Sequence, residues 1–397
     1  MVKATHKLSA TQISYLNLLR YFLCLAIFSG HFVNIFVYRI INFEELIHHN
    51  PLLFLALRIP TFSVMLFFVL SGFLITYTTI IDINKNGYFS IKQYIKKRII
   101  RIFPPLWFAI FITWFIYKII IFFNLFGIET YILPHESYST IPKAFIPFHE
   151  IITNIILIPG ITGGFNAPLW SLSYEMFYYI IFANLMIFLV RKQFMLGTLL
   201  TVYISAFILN LIYLDHSYLQ AIDLVLKLFI VWFLGSLLAI IFLKGKLQKI
   251  PSSIFLGLMV LVLNIFIYKL SFFLGNLINE RLIYAIIAFF IMSYILTANL
   301  KINATIEFIS KASKFSYTLY LIHFPLLLLM LSAIGPQLQK FNTLRLIALY
   351  FTAFTSINFL SFIVAIISEN KSLPKHLISS ILKYLPVIKL APRLKKI

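Results

Sequence analysis

Four ionisable residues interrupt long apolar runs of the sequence: Arg20, His31, Glu175 and His323. A histidine can take a proton from a hydroxyl group near neutral pH, and an arginine can stabilise a developing oxyanion. A carboxylate can orient the histidine or relay its proton. Such groups are costly inside a membrane, so they face a partner or a cavity there. Together they could serve group transfer, although proton relays in transporters use the same residue types.

Arg20 and His31 share one face of the predicted first helix. Eleven residues at about 100° each bring them within about 20° of one line, roughly 16 Å apart along the axis. Asn17 and Asn34 fall within about 60° of that line, so this helix carries a polar stripe. Taken alone, the pair is also compatible with an arginine reaching the headgroups and a hydrogen-bonded core histidine.

A second basic pair, Arg98 and Arg101, lies three residues apart and therefore on one helical face. Anchoring at the cytoplasmic end of a span is the simpler interpretation. Binding of a phosphate-bearing donor would use the same geometry, because the guanidinium fork binds phosphate in a bidentate manner. Cys24 is the single cysteine, so no disulfide within the chain and no cysteine-based metal site is expected. No metal is predicted.

The composition dictates what must position these side chains. The sequence is 61% hydrophobic and 11% charged, whereas soluble domains are about 45–50% apolar and 25% charged. An all-α polytopic membrane protein follows, since helices satisfy their own backbone hydrogen bonds in lipid. The net charge of +21 gathers in short loops, which favours membrane orientation over a nucleic-acid partner.

Runs of about 20 apolar residues predict ten membrane-spanning helices. They cover residues 13–38, 58–80, 102–124, 171–190, 195–214, 222–243, 252–270, 281–299, 316–334 and 344–368. With this topology 23 Lys and Arg residues lie on one side and 7 on the other, while three fall within spans. The excess of positive charge predicts that both termini are cytoplasmic.

This arrangement predicts a single membrane domain over residues 1–370, followed by a basic cytoplasmic tail over 371–397. The tail is expected to lie on the anionic inner leaflet. The longest loop, 125–170, is predicted to be extracytoplasmic. A long loop in a compact chain commonly serves as a lid or binding loop.

Five motifs in order resemble the integral-membrane acyltransferase-3 family. They are Arg20 with His31 eleven residues later, FFVLSGFLI at 67–75, the Arg98–Arg101 pair followed by Pro104, LWSLSYE at 169–175, and SYTLYLIHFPL at 316–326. The resemblance covers almost the whole chain, from Leu16 to about Ile367. It implies a bacterial inner-membrane enzyme that transfers an acyl group, typically from acetyl-CoA, to a hydroxyl of an envelope or exported carbohydrate. O-antigen, capsule and exopolysaccharide are such acceptors, free or lipid-linked.

The resemblance maps His31 to the essential histidine of the family and Arg20 to its motif arginine. We assign His31 as general base, with Glu175 or His323 orienting it, and Arg20 as a contact to the donor. Arg98 and Arg101 are expected to bind the phosphates of acetyl-CoA. Residues of the other motifs are expected to contact substrate: Ser71, Trp170, Ser173 and Tyr320. The chain resembles the stand-alone type, which has no fused esterase-like domain.

Two other function classes fit the sequence less well. A proton-coupled carbohydrate or lipid transporter would show an internal repeat between the chain halves, and the sequence shows none. An assembly or sensory protein with a degenerate core is disfavoured because every expected polar residue is present. The acceptor sugar, the identity of the acyl group, an acyl-enzyme step and the oligomeric state stay open.

Overall fold

The computed structural model describes residues 4–37, 51–125, 148–157, 164–191, 218–270, 277–369 and 389–390. Eleven α-helices account for most of this part of the chain. They are α1 (Ala10–Phe32), α2 (Pro51–Asn86), α3 (Ile91–Phe122), α4 (Phe148–Ile156), α5 (Leu169–Arg191), α6 (Tyr218–Leu243), α7 (Ser252–Leu270), α8 (Leu277–Thr297), α9 (Ala304–Ser310), α10 (Ser316–Ile334) and α11 (Thr343–Ser368). Strands β1 (Phe89–Ser90) and β2 (Lys389–Leu390) form one antiparallel pair.

Six of the described helices are long and apolar enough to cross a membrane. These segments are Ala10–Val37, Arg58–Asn86, Ile91–Phe122, Glu280–Thr297, Ser316–Ile334 and Thr343–Ser368. Two shorter apolar stretches lie in α6 and α7. Helix α5 is not among the six, because it opens with the polar run LWSLSYE. The prediction of an all-α polytopic membrane protein is confirmed.

Nine of the ten predicted spans coincide with described helices, and the span at 195–214 lies outside the described residues. Helix α3 begins eleven residues earlier than predicted. Ser90 caps it by accepting a hydrogen bond from the Gln93 N–H at 3.3 Å, so the basic run 96–101 is helical. Helix α2 is also longer than predicted and includes Pro60. Arg98 and Arg101 therefore project from a continuous helix, one turn apart.

Backbone contacts bring one set of chain segments to a single face. The Thr5 N–H donates to the Leu243 carbonyl at 2.8 Å, and the Tyr15 hydroxyl donates to the Lys301 carbonyl at 2.9 Å. The β1–β2 pair joins the chain after α2 to the C-terminal segment. The described residues before α1 and strand β2 thus contact the chain beside the basic loops. That this face is cytoplasmic stays a prediction from the charge distribution.

Helices α2 and α6 meet at a pair of glycines in the middle of the bundle. A Cβ atom added to Gly72 would lie 1.9 Å from the Trp232 carbonyl oxygen, and one added to Gly235 would lie 1.9 Å from the Val69 carbonyl oxygen. The Thr76 hydroxyl donates to Ser236 Oγ at 2.8 Å beside this contact. Only glycine permits such a close backbone approach, so the small residues in FFVLSGFLI are required for packing.

The predicted loop 125–170 contains α4 and a short 3₁₀ turn, Gly164–Asn166, while residues 126–147 and 158–163 lie outside the described residues. Of the predicted tail 371–397, the structure describes β2 alone. The division into a membrane domain and a tail stays a prediction.

Candidate active site

A cavity of about 290 Å³ lies between α1, α2, α3, α5 and α10. Each of these helices contributes at least one residue to its wall. Six of the residues predicted for the site line it: Arg20, Ser71, Arg98, Arg101, Glu175 and Tyr320. The five motifs therefore converge on one space, although they are spread over 300 residues of sequence.

Three arginines give this cavity its positive charge. Arg98 is buried, and its guanidinium carbon lies 4.7 Å from the ring centre of Tyr94 and 5.6 Å from that of Tyr179. Arg101 also lines the cavity and is exposed, and Arg20 is partly buried. Within the described residues no carboxylate lies within 4.0 Å of any of the three. Arginines grouped in this way suit an anionic ligand such as a phosphate.

Glu175 is the acidic residue of the cavity. Its carboxylate accepts hydrogen bonds from the Ser71 hydroxyl and from the Tyr179 hydroxyl, the latter at 2.5 Å. Trp232 Nε1 donates to Ser71 Oγ at 3.3 Å. The close approach at Gly72 holds Ser71 against α6 and so helps to fix this network.

The two membrane histidines form a pair beyond the cavity wall. The rings of His31 and His323 have centres 5.4 Å apart, and both residues are buried. Helices α1 and α10 run parallel here, since Cys24 Sγ donates to the Ser316 carbonyl at 3.0 Å seven residues before the histidine pair on each helix. A π-helical turn, Val33–Val37, begins two residues after His31. Such turns often occur at functional sites.

The backbone fixes the tautomer of His323. Its Nδ1 atom lies 2.7 Å from the Tyr320 carbonyl oxygen and 3.2 Å from that of Leu319. A carbonyl oxygen can only accept, so Nδ1 carries the proton. Nε2 then has a free lone pair, and it has no hydrogen-bond partner among the described residues. His323 is thus preset as a proton acceptor beside His31.

Tyr320 stands between the arginine-lined cavity and the histidine pair. Its ring lines the cavity and has its centre 5.9 Å from that of His323. Its hydroxyl donates to the Pro168 carbonyl at 2.7 Å and lies 2.5 Å from Ser171 Oγ. The start of α5 thereby holds this tyrosine in place.

Some predicted roles differ from the observed positions. Glu175 or His323 was expected to orient His31, and the structure places His323 beside it. Glu175 instead accepts hydrogen bonds from Ser71 of α2 and from Tyr179, one turn along its own helix. Trp170 is not part of the cavity wall, because its ring packs edge-on against Tyr174 at 5.6 Å. Ser173 is fully buried and donates to the Trp170 carbonyl at 2.6 Å.

Residues not selected from the sequence also belong to the site. Tyr94 and Tyr179 enclose Arg98, and Tyr317 and Cys24 line the cavity. Aromatic residues make up 17% of this chain, so nothing in the sequence distinguishes the three tyrosines from the others. Among the described residues no group of three His, Cys, Asp or Glu side chains could hold a metal ion.

Residues 13–369 match the family model of the acyltransferase-3 proteins, described as an acyltransferase domain. The chain belongs to the acyltransferase-3 family. The match covers every element of the cavity and of the histidine pair. This acyltransferase-3 protein is therefore a multi-pass membrane protein with the acyltransferase domain of that family, and the resemblance found in the sequence is confirmed.

An uncharacterised protein of Haemophilus influenzae is 34% identical to the chain over 136 residues. The shared region is 32% of this acyltransferase-3 chain and 49% of the relative, so the chain spans about half the length of the curated relative it matches. No solved structure matches the chain.

Proposed function

We propose that this protein transfers an acyl group, in the first instance acetyl, from acyl-CoA to a hydroxyl of a carbohydrate of the bacterial envelope or an exported polysaccharide. The observation that carries the proposal is the group of three arginines that line one cavity, with no carboxylate within ion-pair distance among the described residues. Coenzyme A presents several phosphate charges at one end and a thin, flexible arm at the other.

The geometry supports a direction for the donor. Arg101 is exposed, Arg98 is buried one turn nearer the start of α3, and Arg20 lines the same cavity from α1. His31 is a further 16 Å or so along α1, by the rise of about 1.5 Å per residue. The phosphates would bind Arg98 and Arg101 at the inner membrane face, and the arm would pass Arg20 toward Tyr320 and the histidines.

The same residues can perform the transfer. His31, with His323 beside it, takes the proton of the acceptor hydroxyl as its oxygen attacks the thioester carbonyl. Arg20 lies about 16 Å from His31 along α1, so it holds the phosphate or pantetheine end of the donor rather than the reacting carbonyl. The carbon–sulfur bond then breaks. The histidine returns the proton to the sulfur, and coenzyme A leaves as the thiol. Glu175 holds Ser71 and Tyr179 in the wall and needs no part in the proton transfer.

Sealed membrane vesicles of known orientation test the proposal. Labelled acetyl-CoA is supplied to one face only, and ester formation on an oligosaccharide acceptor is measured. We expect activity when the donor has access to the face that carries Arg101 and both termini. Equal activity with donor at the opposite face would refute the route. Absence of labelled ester with every donor and acceptor combination would refute the function.

A further inference from the structure

The segment just before α5 passes into the helix bundle as irregular backbone. Phe165 and Asn166 of the 3₁₀ turn are buried, with Asn166 fully enclosed. Asn166 contacts Thr113, nine residues before the end of α3, which corresponds to about 13 Å of helix. Irregular backbone at such a depth is tolerated only where protein rather than lipid surrounds it. Residues 164–168 therefore form a re-entrant turn.

Pro325 creates the acceptor that this turn binds. Proline has no N–H, so the carbonyl of Leu321, four residues earlier in α10, loses its usual helical donor. Asn166 Nδ2 donates to this carbonyl at 2.8 Å. A buried carbonyl without a partner would be costly, and the asparagine removes that cost.

The remaining hydrogen bonds fix the orientation of the asparagine amide. The Thr113 hydroxyl donates to the Ala109 carbonyl at 2.7 Å, so its oxygen is left to accept from Asn166 Nδ2 at 3.2 Å. Both protons of the amide nitrogen are thus used. One side chain joins α3, the re-entrant turn and the interrupted helix α10.

We propose that Asn166 is a positioning residue for acyl transfer, a role that rests on the function proposed above. Its hydrogen bond to Leu321 sets the re-entrant turn, and the turn presents the Pro168 carbonyl to the Tyr320 hydroxyl. Tyr320 lines the donor cavity and lies beside His323. Asn166 thereby controls the boundary between the donor site and the histidine pair without touching either substrate.

Replacement of Asn166 by leucine keeps the size of the side chain and removes the donor. The turn then loses its attachment to α10, and Tyr320 loses its fixed acceptor. A displacement of about 1 Å in a positioning group can cost about 100-fold in rate. We expect N166L to lower kcat by about 10- to 100-fold. The KM for acetyl-CoA should stay within about twofold, because the arginines are untouched.

A double-mutant cycle with Pro325→Ala gives the sharpest test, because alanine at 325 restores the N–H that α10 lacks. That N–H can donate to the Leu321 carbonyl in place of Asn166. We expect N166L to cost at least about fivefold less in the P325A background, since the two changes share one partner. Asn184→Leu is the matched control, since the Asn184 amide donates to the Ile180 carbonyl of its own helix and to no other described residue. It should leave kcat within about twofold.

The proposal would be overturned if the fold-losses in kcat of N166L and P325A multiply in the double variant. It would also be overturned if N166L raises the KM for acetyl-CoA and leaves kcat unchanged. The melting temperature of the same four proteins in detergent gives a readout independent of chemistry. If the wild type transfers no acyl group, the proposed function fails, and the melting temperatures still test the hydrogen bond between Asn166 and Leu321. A smaller fall in melting temperature on N166L substitution in the P325A background supports this hydrogen bond. An equal fall in both backgrounds overturns the proposal.

Discussion

Arg98 and Arg101 should contribute unequally to donor binding, although they sit one turn apart on the same helix. Arg98 is buried between the rings of Tyr94 and Tyr179, which hold its guanidinium fork in one orientation. Arg101 is exposed, so water screens its charge and its side chain is free to move. A phosphate should therefore gain more from Arg98.

The expected sizes follow from these environments. A hydrogen bond to a charged group in a buried site contributes about 1.5–3 kcal/mol, which corresponds to about 10- to 150-fold in affinity. An exposed ion pair contributes at most about 1 kcal/mol, or about fivefold. We expect Arg98→Ala to raise the KM for acetyl-CoA by about 10- to 150-fold and Arg101→Ala by no more than about fivefold. Arg98→Lys should fall between them, because lysine keeps the charge but not the planar fork.

The assay is the initial rate of ester formation at fixed acceptor and varied acetyl-CoA, normalised to the amount of folded protein in the membrane. The control is the pair Lys92→Ala and Lys96→Ala. It removes two charges from the same end of α3, at positions outside the cavity. A larger effect at Arg101 than at Arg98 would refute the reasoning. So would a fall in kcat with an unchanged KM.

Two further predictions concern packing and topology. Gly72→Ala should lower the melting temperature and abolish transfer, because its Cβ would lie 1.9 Å from the Trp232 carbonyl oxygen. Such overpacking costs about 1–3 kcal/mol or more. The control is Gly257→Ala, whose Cβ would meet no atom within 4 Å and which should leave the melting temperature and the transfer rate unchanged. Retention of the wild-type melting temperature by Gly72→Ala would contradict the contact. Lys246→Cys should resist impermeant thiol reagents in intact cells and react after lysis, because its loop is predicted to be cytoplasmic. The native Cys24 is buried and should give no background labelling. Labelling of this cysteine in intact cells would contradict the predicted topology.

The sequence was most informative where one helix decides the outcome. Apolar runs of membrane length located the helices, and the eleven-residue spacing of Arg20 and His31 placed both on one face of α1. The Arg98–Arg101 pair was placed on one face for the same reason. The structure then brings five helices together so that most of the predicted residues line one cavity.

The sequence was least informative where partners come from distant elements. Glu175 receives its hydrogen bonds from α2 and from its own next turn, and nothing in LWSLSYE indicates Ser71. Asn166 looked like an ordinary loop residue, because its importance depends on a carbonyl that Pro325 leaves without a donor 155 residues away. The start of α3 was misplaced because the basic run 96–101 is a poor member of an apolar span, yet it is helical.

The most direct test of the account is acyl transfer by the purified protein in liposomes, with labelled acetyl-CoA and an envelope oligosaccharide as acceptor. The wild type should form a labelled ester on the oligosaccharide. His31→Ala should lower the rate by at least about 100-fold, as expected for loss of a general base, while still binding acetyl-CoA with wild-type affinity. Transfer by His31→Ala at a rate near that of the wild type would contradict the central claim.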